Sequence, residues 1–287
     1  MKNISLVIGD TCDLTQQIIE ENKMIIVEYI VDWAEKDEVN GKNIYEKMRK
    51  SKTFPKTSQP SPWVFKNIFE QELKKDNEIF CITLSSKLSG GYNSALQAKS
   101  MFPEDSDQQK IFVFDSSATS GAEGLLCLRA AELIREGNSL KDIKDKLNED
   151  FSKIYLIGMV EDPKWLEAGG RLNHTLASLI RQMLKINFRP VIGLKDGEVK
   201  AIALKTQARN IPEAIFKYFD KKTNKIRSSG KKIKVAISHT DNIEDINILR
   251  SLLNKTLGVE IVFENFINNV IGCHVGPGSL ILSWSEI

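Results

Sequence analysis

Cysteine is scarce in this chain: Cys12, Cys81, Cys127 and Cys273 are the only four among 287 residues, and no two form a CxxC pair. Spaced that far apart, among apolar or small neighbours, they argue against a zinc site or a disulfide framework and for small buried core residues. Neither sign of charge is in excess. Lys plus Arg number 40 against 38 for Asp plus Glu, a formal +2, so the broad basic footprint of a general nucleic-acid binder is missing. No apolar run approaches the length of a membrane span, and "MKNISLVIGD" is too short and too soon polar for a signal peptide. The expectation is a reduced, cytoplasmic protein.

Catalytic signatures are missing too. There is no GxSxG elbow and no GxxxxGKS/T phosphate loop, and the three histidines, His174, His239 and His274, do not recur at metal-ligand spacing. What is present is enough apolar residue, 41%, for real cores in one large domain or two moderate ones. Short apolar runs ("ISLVIGD", "MIIVEYIV", "EIFCITLSS", "KIFVFDSS", "KIYLIGMVED") alternate with amphipathic stretches. That alternation predicts an α/β fold with a mostly parallel sheet in an N-terminal domain, residues 1–160. In residues 161–287 the "KDGE" hairpin signal is mixed with crossover connections, which predicts a second α/β domain with a mixed sheet. Eight Lys or Arg against Asp220 alone between Lys217 and Lys234 read as a solvated loop, with docking to an acidic partner or a membrane surface as the other readings.

Ligands of open α/β sheets sit beyond the carboxyl ends of the strands, and two hydroxyl-rich loops fall there. In "PKTSQPSP", Thr57 and Ser58 precede a helix that Ser61 and Pro62 open, and hydroxyls beside free helix amides suit an anion. "LSSKLSGGYNSA" adds Ser85, Ser86 and Ser89 before Gly90 and Gly91, where the backbone can approach a ligand closely and a helix starts near Ser89. In "IGCHVGPG", His274 stands between Gly272 and Gly276, placed to meet a ligand; a purely structural histidine is the competing reading. These groups look like a clamp for an anionic headgroup more than a reaction centre.

Together the stretches "IGDTCDL", "PKTSQPS", "LSSKLSGGYNSA", "FDSSATSGAEG", "EAGGRLN", "INFRPVIGLKDGEV" and "IGCHVGPG" resemble, in order, the blocks of the DegV family of bacterial fatty-acid-binding proteins. The resemblance implies two α/β domains with a long-chain fatty acid in a tunnel between them and no other cofactor. It implies that Thr57, Ser89 and His274, with Ser58 nearby, hold the carboxylate, which is presented to an ATP-dependent fatty acid kinase for acyl-phosphate formation. Arg171 in "GGRLN" would lie on a loop near the tunnel mouth, either paired with an acid such as Glu167 or reaching the kinase. Four positions depart from the family pattern: Gly9 and Asp10 stand for its Asp-Ser, Lys56 for a threonine, and Gly91 for the threonine of SGTY. Two other readings stay open: a small-molecule phosphotransferase or hydrolase using the serine loops, and a purely regulatory binding module.

Overall fold

The computed structural model describes residues 3–33, 43–104, 106–186, 189–205 and 210–286. The chain begins with β1 (Ile4–Gly9), α1 (Gln16–Glu21), β2 (Ile25–Val27), β3 (Ile30–Asp32), α2 (Asn43–Lys50) and β4 (Lys56–Ser58). It continues through α3 (Pro62–Leu73), β5 (Glu78–Thr83), α4 (Gly91–Ser100), β6 (Ile111–Asp115), α5 (Ser120–Arg135) and α6 (Leu140–Phe151). Next come β7 (Ile154–Met159), α7 (Lys164–Ala168), α8 (His174–Lys185), β8 (Arg189–Lys195), β9 (Glu198–Lys205) and α9 (Ile211–Ser228). Last are β10 (Ile233–His239), α10 (Ile243–Asn254), β11 (Val259–Phe266), α11 (Asn269–Val275) and β12 (Leu280–Ser285).

Four strands make a wholly parallel sheet in the order β2-β1-β5-β6. From Ile79 to Thr83, β5 is buried at every position, as a parallel strand covered on both faces must be. The order reverses between β1 and β5, which is where a doubly wound sheet leaves a crevice at its carboxyl edge. A second sheet of six strands, β11-β10-β12-β7-β8-β9, is mixed: β10 and β11 run parallel, and the other neighbours antiparallel. The hairpin tip between β8 and β9 is Asp196 and Gly197, both left-handed (φ 55 and 77), the geometry the Asp-Gly pair predicts. The α/β class, with one parallel and one mixed sheet, is as the sequence implies.

Several details differ from the sequence reading. "MIIVEYIV" is two strands, because Asp10 captures the backbone N–H of Tyr29 (3.2 Å) and β3 turns away to pair with β4. "KIYLIGMVED" belongs to the second sheet, where β7 pairs with β12 and β8. An apolar run does not say which sheet it joins, and here a strand more than a hundred residues later decides it. The chain therefore changes sheets before Ile154, ahead of the 160/161 division. Pro62 opens α3 as read, but the Ser61 side chain makes no capping bond. The second loop's helix starts at Gly91, two residues later than expected. Most of the basic segment 217–234 is helix: Phe219 and Thr223 of α9 face the core, Arg227 bonds Asp220, and Lys234 on β10 bonds Glu132.

α5 lies between the two sheets, against β12, β10 and β7 on one side and β1 on the other. Its first turns, "SGAEG", are buried throughout, and two glycines set the spacing. A Cβ on Gly121 would come within 3.0 Å of Ser283 Oγ, and one on Gly124 within 2.5 Å of the Cys12 carbonyl and 2.7 Å of Phe263 Cζ. Alanine is the better helix former by about 1 kcal/mol, but neither neighbour of Gly124 can swing aside. Gly124→Ala is expected to cost about 1–3 kcal/mol by overpacking, read as a lower urea midpoint at unchanged slope. Gly90→Ala, whose added carbon would meet the flexible Gln59 amide at 2.9 Å, should cost little by the same measurement.

Candidate functional site

The β3–β4 ladder pairs Val31 with Thr57 and Ile30 with Ser58, holding the first hydroxyl loop across the crevice. Pro55 and Pro60 are buried on either side of it. From the other half of the chain comes α11, whose N-cap Asn268 accepts a bond from Val270 N (2.7 Å). Asn268 is fixed in turn by two carboxylates of the first unit: its N–H donates to Asp13 (2.8 Å) and its amide to Asp10 (3.2 Å). Burial pushes both carboxyls up to about 6. α11 ends at Gly276 (φ 79), where any Cβ would strike Trp165 at 2.0 Å.

In the last turn of α11, His274 is brought to Thr57, and Thr57 Oγ1 and His274 Nε2 share a hydrogen bond of 2.7 Å. The other face of the ring lies on Gly169 of "EAGGRLN", where a Cβ would sit 2.1 Å from Nδ1. The imidazole is buried, not held out between its glycines, yet it still faces the cleft. Burial, and then the charge of Arg171, hold it down to about 4, so it is neutral near pH 7.

Arg171 is half-buried in the cleft wall. It donates to the Leu88 carbonyl from Nε (3.2 Å) and Nη2 (3.0 Å), and to the Gly169 carbonyl from Nη1. It does not pair with Glu167, whose carboxylate is held by His174 and Arg181. Among the described residues no acid neutralises this guanidinium.

Ser89 and Ser58 also line the cleft, Ser89 half-buried and Ser58 exposed. The other strand-end polar groups are used as scaffold. Ser85 donates to the Gly197 carbonyl (2.8 Å), pinning the β8–β9 tip over the second loop, and Asp115 accepts from the backbone of Ser86 and Ser117. A clasp holds α2 down nearby: Tyr45 donates to the Ile267 carbonyl (3.1 Å) and Arg49 pairs with Asp241 and Glu161. Beyond the polar end, the walls are apolar, with Leu84 and Leu88 from the first unit and Leu166, Val199, Val270 and Ile271 from the second. The cleft leaves a cavity of about 60 Å³ between these walls. Two hydroxyl-bearing wall residues, Tyr29 and Thr119, were not among the sequence candidates. Gly91 was the signal: a missing side chain in a packed wall implies that another residue fills the notch.

The depressed His274 predicts a pH dependence of definite sign. The unfolded chain takes up the imidazole proton near 6.5 and the folded chain only near 4, so stability from neutral His274 is present above 6.5 and is lost as pH falls toward 4. Across that window wild type should lose on the order of 3 kcal/mol relative to His274→Gln. Urea unfolding of both proteins from pH 7 downward measures it, and a constant gap would mean that the imidazole titrates at its ordinary value.

The sequence model of the DegV family, described as "Uncharacterised protein, DegV family", matches residues 3–286. A DegV domain-containing protein of Clostridium acetobutylicum is 32% identical over 285 residues, covering 97% of this chain and 95% of its own. Among solved structures, a DegV family protein from Thermus thermophilus, described by its fatty acid binding, superposes with a TM-score of 0.85 at 28% identity over 99% of this chain and all of its own. DegV from Bacillus subtilis, described as a fatty acid binding protein, gives 0.80 at 27% over the whole of both chains. Its two-sheet fold, its block order and its match over nearly the whole length agree: the chain belongs to the DegV family.

Proposed function

We propose that this protein binds a long-chain fatty acid in the cleft, with the carboxylate at Thr57, Ser89 and His274 and Ser58 beside them, and presents it to an ATP-dependent kinase as the substrate for acyl-phosphate formation. One observation carries the binding part: Arg171 brings an uncompensated positive charge to the polar end of an otherwise apolar cleft. Such a site is complementary to an amphiphile with an anionic head. A neutral His274 that donates from Nε2 to Thr57 leaves the Thr57 hydroxyl proton for the ligand. The solved relatives described as fatty-acid-binding support the same reading. The hydroxyls hold the head by hydrogen bonds beside the guanidinium of Arg171, which suits a carboxylate that must be handed to a kinase.

The phosphotransferase or hydrolase reading rests on the serine loops; the loop hydroxyl that meets an imidazole is that of Thr57, which with His274 would have to serve as nucleophile and base. A base works best with a pKa near the operating pH and with an acid to orient it. His274 sits at about 4, and its second nitrogen lies on the Gly169 backbone, so the pair suits binding better than proton abstraction.

Mass spectrometry of denatured, purified protein should release a long-chain acid; its repeated absence, even after lipid is offered, would sink the proposal. Thr57→Ala combined with Ser89→Ala should weaken binding by about 1.5–3 kcal/mol per lost bond, measured by calorimetry with melting temperature as the fold control. Arg171 separates two roles within the reading. Loss of bound lipid in Arg171→Ala assigns it to the headgroup, whereas retained lipid with less acyl-phosphate, and a flatter salt dependence of its formation, assigns it to the kinase contact expected from the sequence.

A further inference from the structure

Resting on the fatty-acid reading, we propose that the cleft recognises an acyl chain that carries an oxygen function, a hydroxyl or keto group, beside Tyr29 and Thr119. Both residues line the cleft, at 7% and 8% exposure. Thr57 and Ser89 are half-buried and Ser58 is exposed, so these two hydroxyls are more buried than the hydroxyls of the head site. Neither Tyr29 Oη nor Thr119 Oγ1 has a hydrogen-bond partner among the described residues. Thr119 occupies the N-cap of α5, where a threonine usually accepts from the first helix amides, yet its hydroxyl makes no such bond.

The setting of Tyr29 is built for that hydroxyl. Its ring lies over Gly9, where a Cβ would come within 3.1 Å of Cε2, and Oη fills the notch at Gly91, where a Cβ would come within 2.0 Å. Gly91 does not have a positive φ, so the backbone does not demand glycine there; room for the Tyr29 hydroxyl does. The notch lies at the start of α4, two residues beyond Ser89. Glu123 lies under the same floor, bonded by Thr11 through one oxygen (2.8 Å) and unpartnered at the other. Burial drives its carboxyl well above the ordinary range.

A plain hydrocarbon tail passing this floor leaves both hydroxyls shut away from water and unpaired. A chain oxygen that meets either hydroxyl gives it a partner, and a site that hydrogen-bonds a ligand hydroxyl discriminates against the analogue lacking it. The placement close to Ser89 puts that oxygen near the carboxyl end of the chain.

The test is calorimetric titration of wild type, Tyr29→Phe, Thr119→Val and the double variant with matched long-chain acids, unsubstituted or hydroxylated at successive carbons from the carboxylate. Both substitutions keep shape, and thermal melting confirms the fold. Wild type should bind at least one hydroxylated acid about tenfold tighter than its unsubstituted parent, and the double variant should bind the two alike. Equal binding of all the acids by wild type overturns the inference and leaves fatty acid binding standing, with the hydroxyls serving as packing or as water sites. Failure of wild type to bind any of them overturns both.

Discussion

The close seating of α5 against two sheets at once is the constraint on which the site depends. Gly121 and Gly124 leave room for Ser283 and Ala236 on one side and for the Cys12 backbone and Phe263 on the other. With that helix seated, the carboxyl edge of the parallel sheet meets the loops of the mixed sheet at a fixed distance. Asp13, at the end of the first crevice loop, then reaches Ser120 on α5 and Asn268 before α11. Thr57 and His274, 217 residues apart in sequence, come within one hydrogen bond as a consequence of this packing.

The cleft divides its chemistry along its length. At the mouth, hydroxyls and a guanidinium face each other with no carboxylate between them among the described residues, so the local field favours an incoming anion. The same field, together with burial, keeps His274 uncharged. The imidazole is then a directional donor or acceptor and does not add a second positive charge. Farther in, aliphatic side chains from both units supply the nonpolar surface on which affinity for a long tail rests, at about 0.8 kcal/mol per buried methylene before ordering costs.

Much of this was legible in the sequence where local chemistry is specific. Alternating apolar and amphipathic stretches identified the fold class, Asp196-Gly197 identified the hairpin, and the clustered hydroxyls with the glycine-flanked His274 identified residues that converge on one cleft. Local pattern was silent where distant pairing decides. Ile154–Met159 reads the same whether it completes the first sheet or enters the second, and only β12 settles it. Ser85 reads as a ligand group but is consumed by the Gly197 backbone. Tyr29 reads as one more aromatic in a strand, because its hydroxyl acquires meaning only from the space left by Gly91, 62 residues on. The setting of Arg171 was hidden for the same reason: its partners are the carbonyls of Leu88 and Gly169, which leave no trace in side-chain pattern.

The position of β12 in its sheet has a consequence for how the molecule is made. It is the last strand in the described chain, yet it lies in the interior of the mixed sheet, between β10 and β7. During synthesis β7 must wait for a neighbour encoded about 120 residues later. Until that strand inserts, α5 lacks one of the surfaces it packs on. A chain growing on the ribosome thus has its first hydroxyl loops long before it has the strand that completes the interior of the mixed sheet.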